Sequence, residues 1–137
     1  MMTRAVAIAA LVALTAGTAF AQEADKWRLL ADIEGVYRVS IADNFTRRSA
    51  DRVTLRYLLE HPVAYENART GRRYRNTMVN AVIDCRANTY LVGSLNTFNG
   101  PGTSDRVDRY TPTGAEARFE PIVAGSTFDI LRKDVCR

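Results

Sequence analysis

Apolar and polar residues alternate along most of the chain after position 26, and this two-residue period is typical of β-strands. The clearest case is residues 52–60, where Val53, Leu55 and Tyr57 share one face and Arg56 takes the other. The same pattern recurs before and after this segment. The predicted strands cover residues 27–31, 36–42, 52–60, 74–85, 88–98 and 106–111.

Polar and turn-forming residues separate these strands. His61 and Pro62 are expected to end the strand at 52–60, because proline has no N–H to donate to a ladder. Residues 43–51 and 63–73 are polar and are predicted to be connecting loops. The link at residues 86–87 is short, so a hairpin or a bulged bend is expected there.

The period of the pattern changes near the C-terminus. Ser126 is followed three residues later by Asp129, a spacing typical of a capped helix start. Phe128 and Leu131 then fall on one stripe of a helical wheel. The pattern predicts a short amphipathic helix over residues 127–135, which is too short to be stable unless it packs on something.

The N-terminus has the three regions of a secretory signal peptide. The basic Arg4 precedes an apolar run at residues 5–14, and residues 19–21 give a small-x-small cleavage pattern. Cleavage is therefore expected before Gln22. A membrane anchor is the alternative, and the short, alanine-rich run disfavours it because a spanning helix needs about 20 strongly apolar residues.

Export changes how the two cysteines are interpreted. Cys85 and Cys136 form an even pair in an oxidising compartment, where a disulfide is expected, and two free thiols are the alternative. Alternation places Cys85 on the strand face that carries Ala81 and Ile83. A bond to Cys136 would therefore hold the predicted helix against that face.

These elements predict an α+β fold, a single antiparallel β-sheet of about six strands with a C-terminal helix disulfide-linked across one face. The 137 residues accommodate a signal peptide (residues 1–21) and one domain (residues 22–137). With 47% hydrophobic and 25% charged residues, the composition is globular and excludes disorder or a coiled coil as a description of the whole chain. One histidine and two cysteines exclude zinc fingers and multi-histidine metal sites.

Four sequence features together resemble a known family. They are Trp27 opening the first strand, Val-Asn-Ala-Val-Ile-Asp-Cys-Arg at residues 79–86, Pro-Ile-Val-Ala-Gly-Ser at residues 121–126, and a terminal Asp-Val-Cys at residues 134–136. With the signal peptide, this set is similar to the surface-adhesin protein E-like family of bacterial envelope proteins. The resemblance implies a single antiparallel sheet with a disulfide-linked C-terminal helix. It also implies binding of extracellular proteins, and some members of the family have been linked to haem.

His61 is the first candidate for acid–base or metal chemistry, beside the carboxylates Asp105 and Asp108. It could serve as a general base, a metal ligand or a haem ligand, but a hydrolase needs a base, an orienting partner and often a nucleophile together. One histidine at a predicted strand end is not such a constellation, and a surface histidine at a turn is the favoured interpretation. No catalytic residue, metal site or cofactor is predicted.

Two further motifs have ordinary structural explanations. Asp105 and Asp108 alternate with Arg106 and Arg109, and the pattern is expected to form cross-strand charge pairs on a solvated face. Asn44 opens an Asn-Phe-Thr glycosylation pattern that chance explains equally well.

One basic cluster is the leading candidate for binding. The cluster comprises Arg69, Arg72, Arg73, Tyr74 and Arg75. It has the composition of a site for an anionic partner. A solvated loop in an arginine-biased protein is the competing interpretation, because the net charge is a mild +4.

The sequence therefore predicts an exported, non-catalytic, adhesin-like binding protein that acts through its sheet surface and basic loop. Its expected partner is an extracellular protein or an anionic glycan, with no specific nucleic acid. It is expected in the periplasm or secreted, without a lipid anchor, and a homodimer is one allowed oligomeric state. The alternative function is a small periplasmic enzyme or a carrier of haem or another small ligand that uses His61.

Overall fold

The computed structural model describes residues 24–137, and the predicted signal peptide at residues 1–21 lies outside this range. The elements in chain order are β1 (Trp27–Ile33), β2 (Tyr37–Ala42), β3 (Arg47–Ser49), β4 (Arg52–Glu66), β5 (Arg73–Asp84), β6 (Thr89–Phe98), β7 (Arg106–Tyr110), a 3₁₀ turn (Gly114–Glu116), β8 (Glu120–Pro121) and α1 (Thr127–Val135). None of the helices in this range is long and apolar enough to cross a membrane.

All eight strands belong to one sheet, and every pairing in it is antiparallel. The main path runs β1-β2-β4-β5-β6-β7, while β3 pairs with β4 and β8 pairs with β6. The single antiparallel sheet of six principal strands is confirmed. So is the helix, which spans the predicted residues 127–135.

Two boundary predictions are wrong. The expected loop at residues 43–51 contains β3, whose three exposed residues include two arginines and therefore give no hydrophobic signal. The strand predicted to stop at Pro62 continues to Glu66. Between Glu60 and Tyr65, β4 advances five residues while β5 advances two, so Pro62 lies in an irregular segment where no ladder hydrogen bond is required of it.

The core lies between one face of the sheet and α1. We call this layer the helix-covered core. Its buried members are Val39, Ile41, Val53, Leu55, Tyr57, Val79, Ala81, Ile83, Ile122, Phe128 and Leu131. The predicted faces of β4 and β5 are confirmed by this set. Phe128 makes an edge contact with Tyr57 and stacks on Tyr90 at a centroid distance of 3.8 Å, so one helix side chain contacts two strands.

The start of α1 is fixed by two reciprocal contacts. Ser126 accepts a hydrogen bond from the Asp129 N–H, as the spacing predicts. The Asp129 carboxylate in turn accepts from the N–H of Gly125, one residue earlier than in the usual capping box. Gly125 has φ +79°, a left-handed conformation that favours glycine. This N–H, with Arg132 and Lys133, lowers the Asp129 pKa to about 2.

The end of α1 is tied to the sheet covalently. Cys85 and Cys136 form a disulfide across 51 positions of sequence, and this confirms the predicted pairing. Cys136 is the C-cap and lies just beyond the regular turns, where its backbone leaves the helical conformation. Arg28 adds a second connection, because its guanidinium bonds both Asp43 and the helix residue Asp134 at 2.8 Å.

The face of the sheet opposite α1 is polar at its centre. Arg56 donates to Asn80 at 2.7 Å and pairs with Asp25 at 2.9 Å, and its guanidinium lies 4.0 Å from the centroid of the Phe45 ring. The Asn44 side chain accepts from a backbone N–H and donates to a carbonyl of residues 24–26. The Asn44 side chain therefore has a structural role, because its amide nitrogen already donates to the carbonyl of Ala24.

Candidate functional site

Antiparallel pairing brings three connections to the end of the sheet farthest from Cys85. They are the β1–β2 turn (residues 34–36), the β4–β5 loop (residues 67–72) and the β6–β7 loop (residues 99–105). The irregular segment of β4 lies at the same end. We call this region the distal end, and it contains every site residue that the sequence singled out apart from the cysteines.

An aromatic cluster forms where β4 is irregular. The ring of His61 makes edge contacts with Tyr65 and Tyr74 at centroid distances of 5.0 and 5.9 Å, and the two tyrosine rings lie 6.0 Å apart. The His61 Nε2 atom is 3.2 Å from the hydroxyl of Thr77. Burial lowers the His61 pKa below its ordinary value. His61 is therefore part of an aromatic cluster, which the pattern of a lone histidine at a turn did not indicate.

This geometry offers little for acid–base catalysis. Thr77 is nearly buried and contacts His61, but within residues 24–137 no carboxylate forms a hydrogen bond or ion pair with the imidazole. A nucleophile–base–carboxylate arrangement needs that third group to orient the base. The described part of the chain also contains no group of histidine, cysteine or acidic side chains positioned to hold a metal ion.

The basic cluster is divided by the fold. Arg69 pairs with Asp108 at 3.1 Å, and its guanidinium lies 5.2 Å from the centroid of the Tyr110 ring. Arg72 pairs with Asp105 at 3.3 Å. The two aspartates were expected to form cross-strand charge pairs, and their partners are the arginines of the β4–β5 loop. The loop is thereby attached to β7 and to the β6–β7 loop.

The other members of the cluster have different surroundings. Arg73 and Arg75 are exposed, and within residues 24–137 neither forms an ion pair or a side-chain hydrogen bond. Tyr74, between them, turns into the aromatic cluster with His61. A continuous basic run in the sequence thus becomes two neutralised arginines, two exposed ones and one packed tyrosine.

The sequence analysis missed an apolar patch at the distal end. Of the six large apolar side chains that are most exposed in the described chain, four lie here. They are Ile33 (40% exposed), Val36 (50%), Val63 (58%) and Tyr65 (45%). Val63 lies in a segment predicted to be a polar loop, and Ile33 lies between two predicted strands. Val36 only begins the predicted strand at residues 36–42, so no pattern marked the group. We call these four residues the distal apolar patch.

Three clefts lie at the distal end of the described chain. One of about 280 Å³ lies beside the β1–β2 turn and is lined by Ile33, Val36, His61 and Pro62. A second, of about 470 Å³, is lined by His61, Arg75 and the β6–β7 loop. A third, of about 340 Å³, lies under the β4–β5 loop. His61 lines two of the three, so the aromatic cluster forms the wall between them.

Comparison with known proteins is consistent with the fold. The family model described as Surface-adhesin protein E matches residues 27–137, which is most of the chain. The solved structure of Haemophilus influenzae protein E superimposes with a TM-score of 0.54 at 11% sequence identity, covering 80% of this chain and 92% of that one. A crystal structure of protein E from non-typeable Haemophilus influenzae gives a TM-score of 0.49 at 10% identity, covering 84% and 85%. No curated protein matches the chain significantly.

Proposed function

The chain belongs to the surface-adhesin protein E family, and on that premise we propose that it is an exported, non-catalytic protein that binds an extracellular protein partner through its distal end. Family membership supports the envelope location and the adhesin-like role. The choice of the distal end rests on the structure of this chain, because solved relatives this dissimilar in sequence share only the fold.

The distal apolar patch is the observation that carries the proposal. Four of the most exposed large apolar side chains are concentrated at this one end of the sheet, and a concentration of exposed apolar surface marks an interaction site. Arg73 and Arg75 lie next to the patch with their charges unpaired inside the described chain. Tyrosine and arginine are enriched among the residues that contribute most of the binding energy at protein interfaces.

The charge distribution favours a protein over a polyanionic glycan. Asp105 and Asp108 neutralise two of the four loop arginines, and Glu66 lies opposite Arg73 in the β4–β5 register. A long polyanion gains most from a continuous positive surface, which this end does not present. A protein partner can match interspersed charges of both signs around an apolar centre.

Binding to a panel of purified extracellular-matrix proteins tests the proposal. The double variant Val63→Ser/Tyr65→Ser is expected to lose at least about tenfold in affinity for a captured matrix protein, because burial of two exposed apolar side chains is lost. The variant Arg73→Ser/Arg75→Ser is expected to bind more weakly and with less dependence on salt. Arg47→Ser/Arg86→Ser removes the same charge at the opposite end of the sheet and serves as the matched control.

Retention on immobilised heparin separates the two classes of partner. If heparin retention falls sharply in Arg73→Ser/Arg75→Ser while the patch variant keeps full binding to every matrix protein, an anionic glycan is the partner. If neither pair of substitutions changes any interaction more than the control does, the distal end is not the binding surface.

Export and maturation form a separate part of the proposal. The signal-like residues 1–21 support cleavage before Gln22, which leaves the Asp25–Arg56 ion pair in the mature protein. The mature protein is then free of a lipid anchor, since no cysteine lies near the cleavage position. Mass spectrometry of the exported protein is expected to show Gln22 as the first residue, and retention of residues 1–21 would contradict this.

One observation favours a second candidate function. His61 is half-buried between Tyr65 and Tyr74 and lines two clefts, which is a reasonable environment for a small planar ligand. A carrier of haem or a similar ligand would then use His61 as the ligating or contacting group. A haem titration whose Soret shift disappears in His61→Ala would favour this function, and an unchanged spectrum would exclude it.

A further inference from the structure

The cleft under the β4–β5 loop differs from the rest of the distal end. Its 340 Å³ is near the lower limit of ligand pockets, about 300 Å³, so it suits a small unit. Tyr74 and Tyr110 both line it, while Leu95 and Thr97 contribute from β6. None of the four residues of the distal apolar patch lines this cleft.

We propose that this cleft binds a single neutral sugar residue. A pyranose ring has an apolar face of C–H groups and a rim of hydroxyls, so its site needs aromatic surface and hydrogen-bonding groups side by side. Tyrosine rings supply the aromatic surface at low entropic cost. The proposal does not depend on the matrix-protein function, because the two surfaces have different residues.

The Asn67 side chain supplies oriented donors to the cleft. Its Oδ1 atom accepts the N–H groups of Arg69 and Thr70, which fixes the orientation of the amide. Its Nδ2 atom consequently faces Thr97 and Asp108, at 3.4 Å from an oxygen of each. Hydrogen bonds of that length are weak. A hydrogen bond to a sugar hydroxyl at ordinary distance would be stronger, so the exchange would favour binding.

The charges in the cleft favour a neutral ligand. Asp108 accepts from Arg69 at 3.1 Å, and Arg69 also lies against the Tyr110 ring. The guanidinium is therefore already neutralised and stacked, and an anionic sugar would lie close to the carboxylates of Glu66 and Asp108. Thr97 and Asp108 keep free acceptor capacity for hydroxyl donors. The Tyr110 hydroxyl bonds Glu116, which holds the ring in place.

An NMR titration of the ¹⁵N-labelled mature protein tests this site. N-acetylglucosamine and galactose are the neutral probes, and glucuronate is the anionic comparison. At least one neutral probe is expected to bind with a Kd on the order of 1 mM, an affinity ordinary for a single small unit. Changes in chemical shift on binding are expected at the amides of residues 67–70, 95–97 and 108–110.

Variants isolate the two kinds of contact. Thr97→Val removes a hydroxyl at nearly constant shape, and Tyr110→Leu removes an aromatic face. Each is expected to weaken binding of the neutral probe at least about fivefold. Phe119→Leu removes an aromatic ring beside Arg52, at the opposite end of the sheet, and leaves binding unchanged. The unliganded spectrum of each variant verifies that the fold is intact.

Three outcomes would overturn the proposal. The first is no change in chemical shift with either neutral probe at about 50 mM, which is well above the expected Kd. The others are tighter binding of glucuronate than of both neutral sugars, and equal sugar affinity of Thr97→Val and the wild type. A sugar that binds as expected while Val63→Ser/Tyr65→Ser retains all matrix-protein binding would support this site and reject the proposed function. Loss of matrix-protein binding in that variant, with no sugar binding by the wild type, would reject this site alone.

Discussion

At the helix-covered core, apolar side chains from three central strands meet α1, and a disulfide joins the end of the helix to the sheet. Among residues 24–137, no helix packs over the distal end in the same way. Leu131, Ile83 and Leu55 have no exposed surface, whereas Val63 is 58% exposed. The β4 ladder is regular under the helix and irregular at the distal end. Regular pairing and burial stabilise the first region, and the irregular second region leaves several apolar side chains exposed.

The two regions also differ in how their charged side chains are buried and paired. In the helix-covered region, the buried Asp129 has its carboxylate satisfied by a backbone N–H and two cationic side chains. At the distal end the Arg72–Asp105 pair has both partners more than half exposed. Exposed pairs contribute about 0–1 kcal/mol, so these contacts position a loop more than they stabilise the fold.

The largest expected effect comes from removing the disulfide with Cys136→Ser. The bridge spans 51 positions, and on the chain-entropy model its loss costs on the order of 4 kcal/mol. Amide exchange should rise more in α1 than in residues 53–59 of β4, because the nine-residue helix is too short to persist alone. Exchange that rises equally in both segments would contradict this account of the anchored helix.

Leu131→Ala tests the packing of the core directly. Its fully buried side chain lies against the sheet, and its truncation should lower the free energy of unfolding by roughly 2–5 kcal/mol. Val63→Ala is the matched truncation at the distal end and should change stability by less than about 0.5 kcal/mol. Urea denaturation of both variants measures the two changes in the free energy of unfolding. Similar decreases would mean that the distal end also has a stabilising role.

Acid below pH 4 should weaken the start of α1. The Asp129 pKa is about 2 in the fold, below the unfolded value of about 3.9, so protonation favours the unfolded chain. The stabilisation is present above pH 4 and is lost as the pH falls toward 2. Asp129→Asn should flatten this part of the stability profile, measured by thermal unfolding at several pH values. A profile that keeps the same slope below pH 4 in Asp129→Asn would contradict this assignment.

The smallest effect concerns His61. Burial lowers its pKa in the fold, so below about pH 6.5 the unfolded chain takes up the proton more readily. Stability should therefore fall slightly as the pH drops from 7 toward 5, and the change is small because the imidazole is only half-buried. His61→Phe keeps a ring between Tyr65 and Tyr74 without titrating and should remove this dependence. An identical slope in the variant would show that another group is responsible.

Much of the helix-covered core could be predicted because burial imposes a period on the sequence. Val53, Leu55 and Tyr57 alternate because one strand face is covered, and the same constraint places Ile83 beside the helix. The helix bounds followed from Ser126 and the apolar stripe after it. The disulfide followed from cysteine count and compartment, which are also properties of the sequence alone.

The distal end could not be predicted in the same way. Irregular backbone has no period, so the continuation of β4 past Pro62 and the exposure of Val63 left no recognisable pattern. The environment of His61 depends on Tyr65 across that irregular segment and on Tyr74 in the next strand. Such contacts arise from pairing between strands, and the sequence pattern of one strand does not predict them.

By itself the sequence determined the fold class, the helix, the disulfide and the family, because local period, caps and cysteine pairing are encoded in neighbouring positions. Only the tertiary structure decided which charges remain available for binding. The loop arginines form one basic run in the sequence, yet Asp105 and Asp108 arrive from about 35 positions away and neutralise Arg72 and Arg69. Long-range pairing sets the electrostatics of a surface, and no local motif contains the partner that cancels its charge.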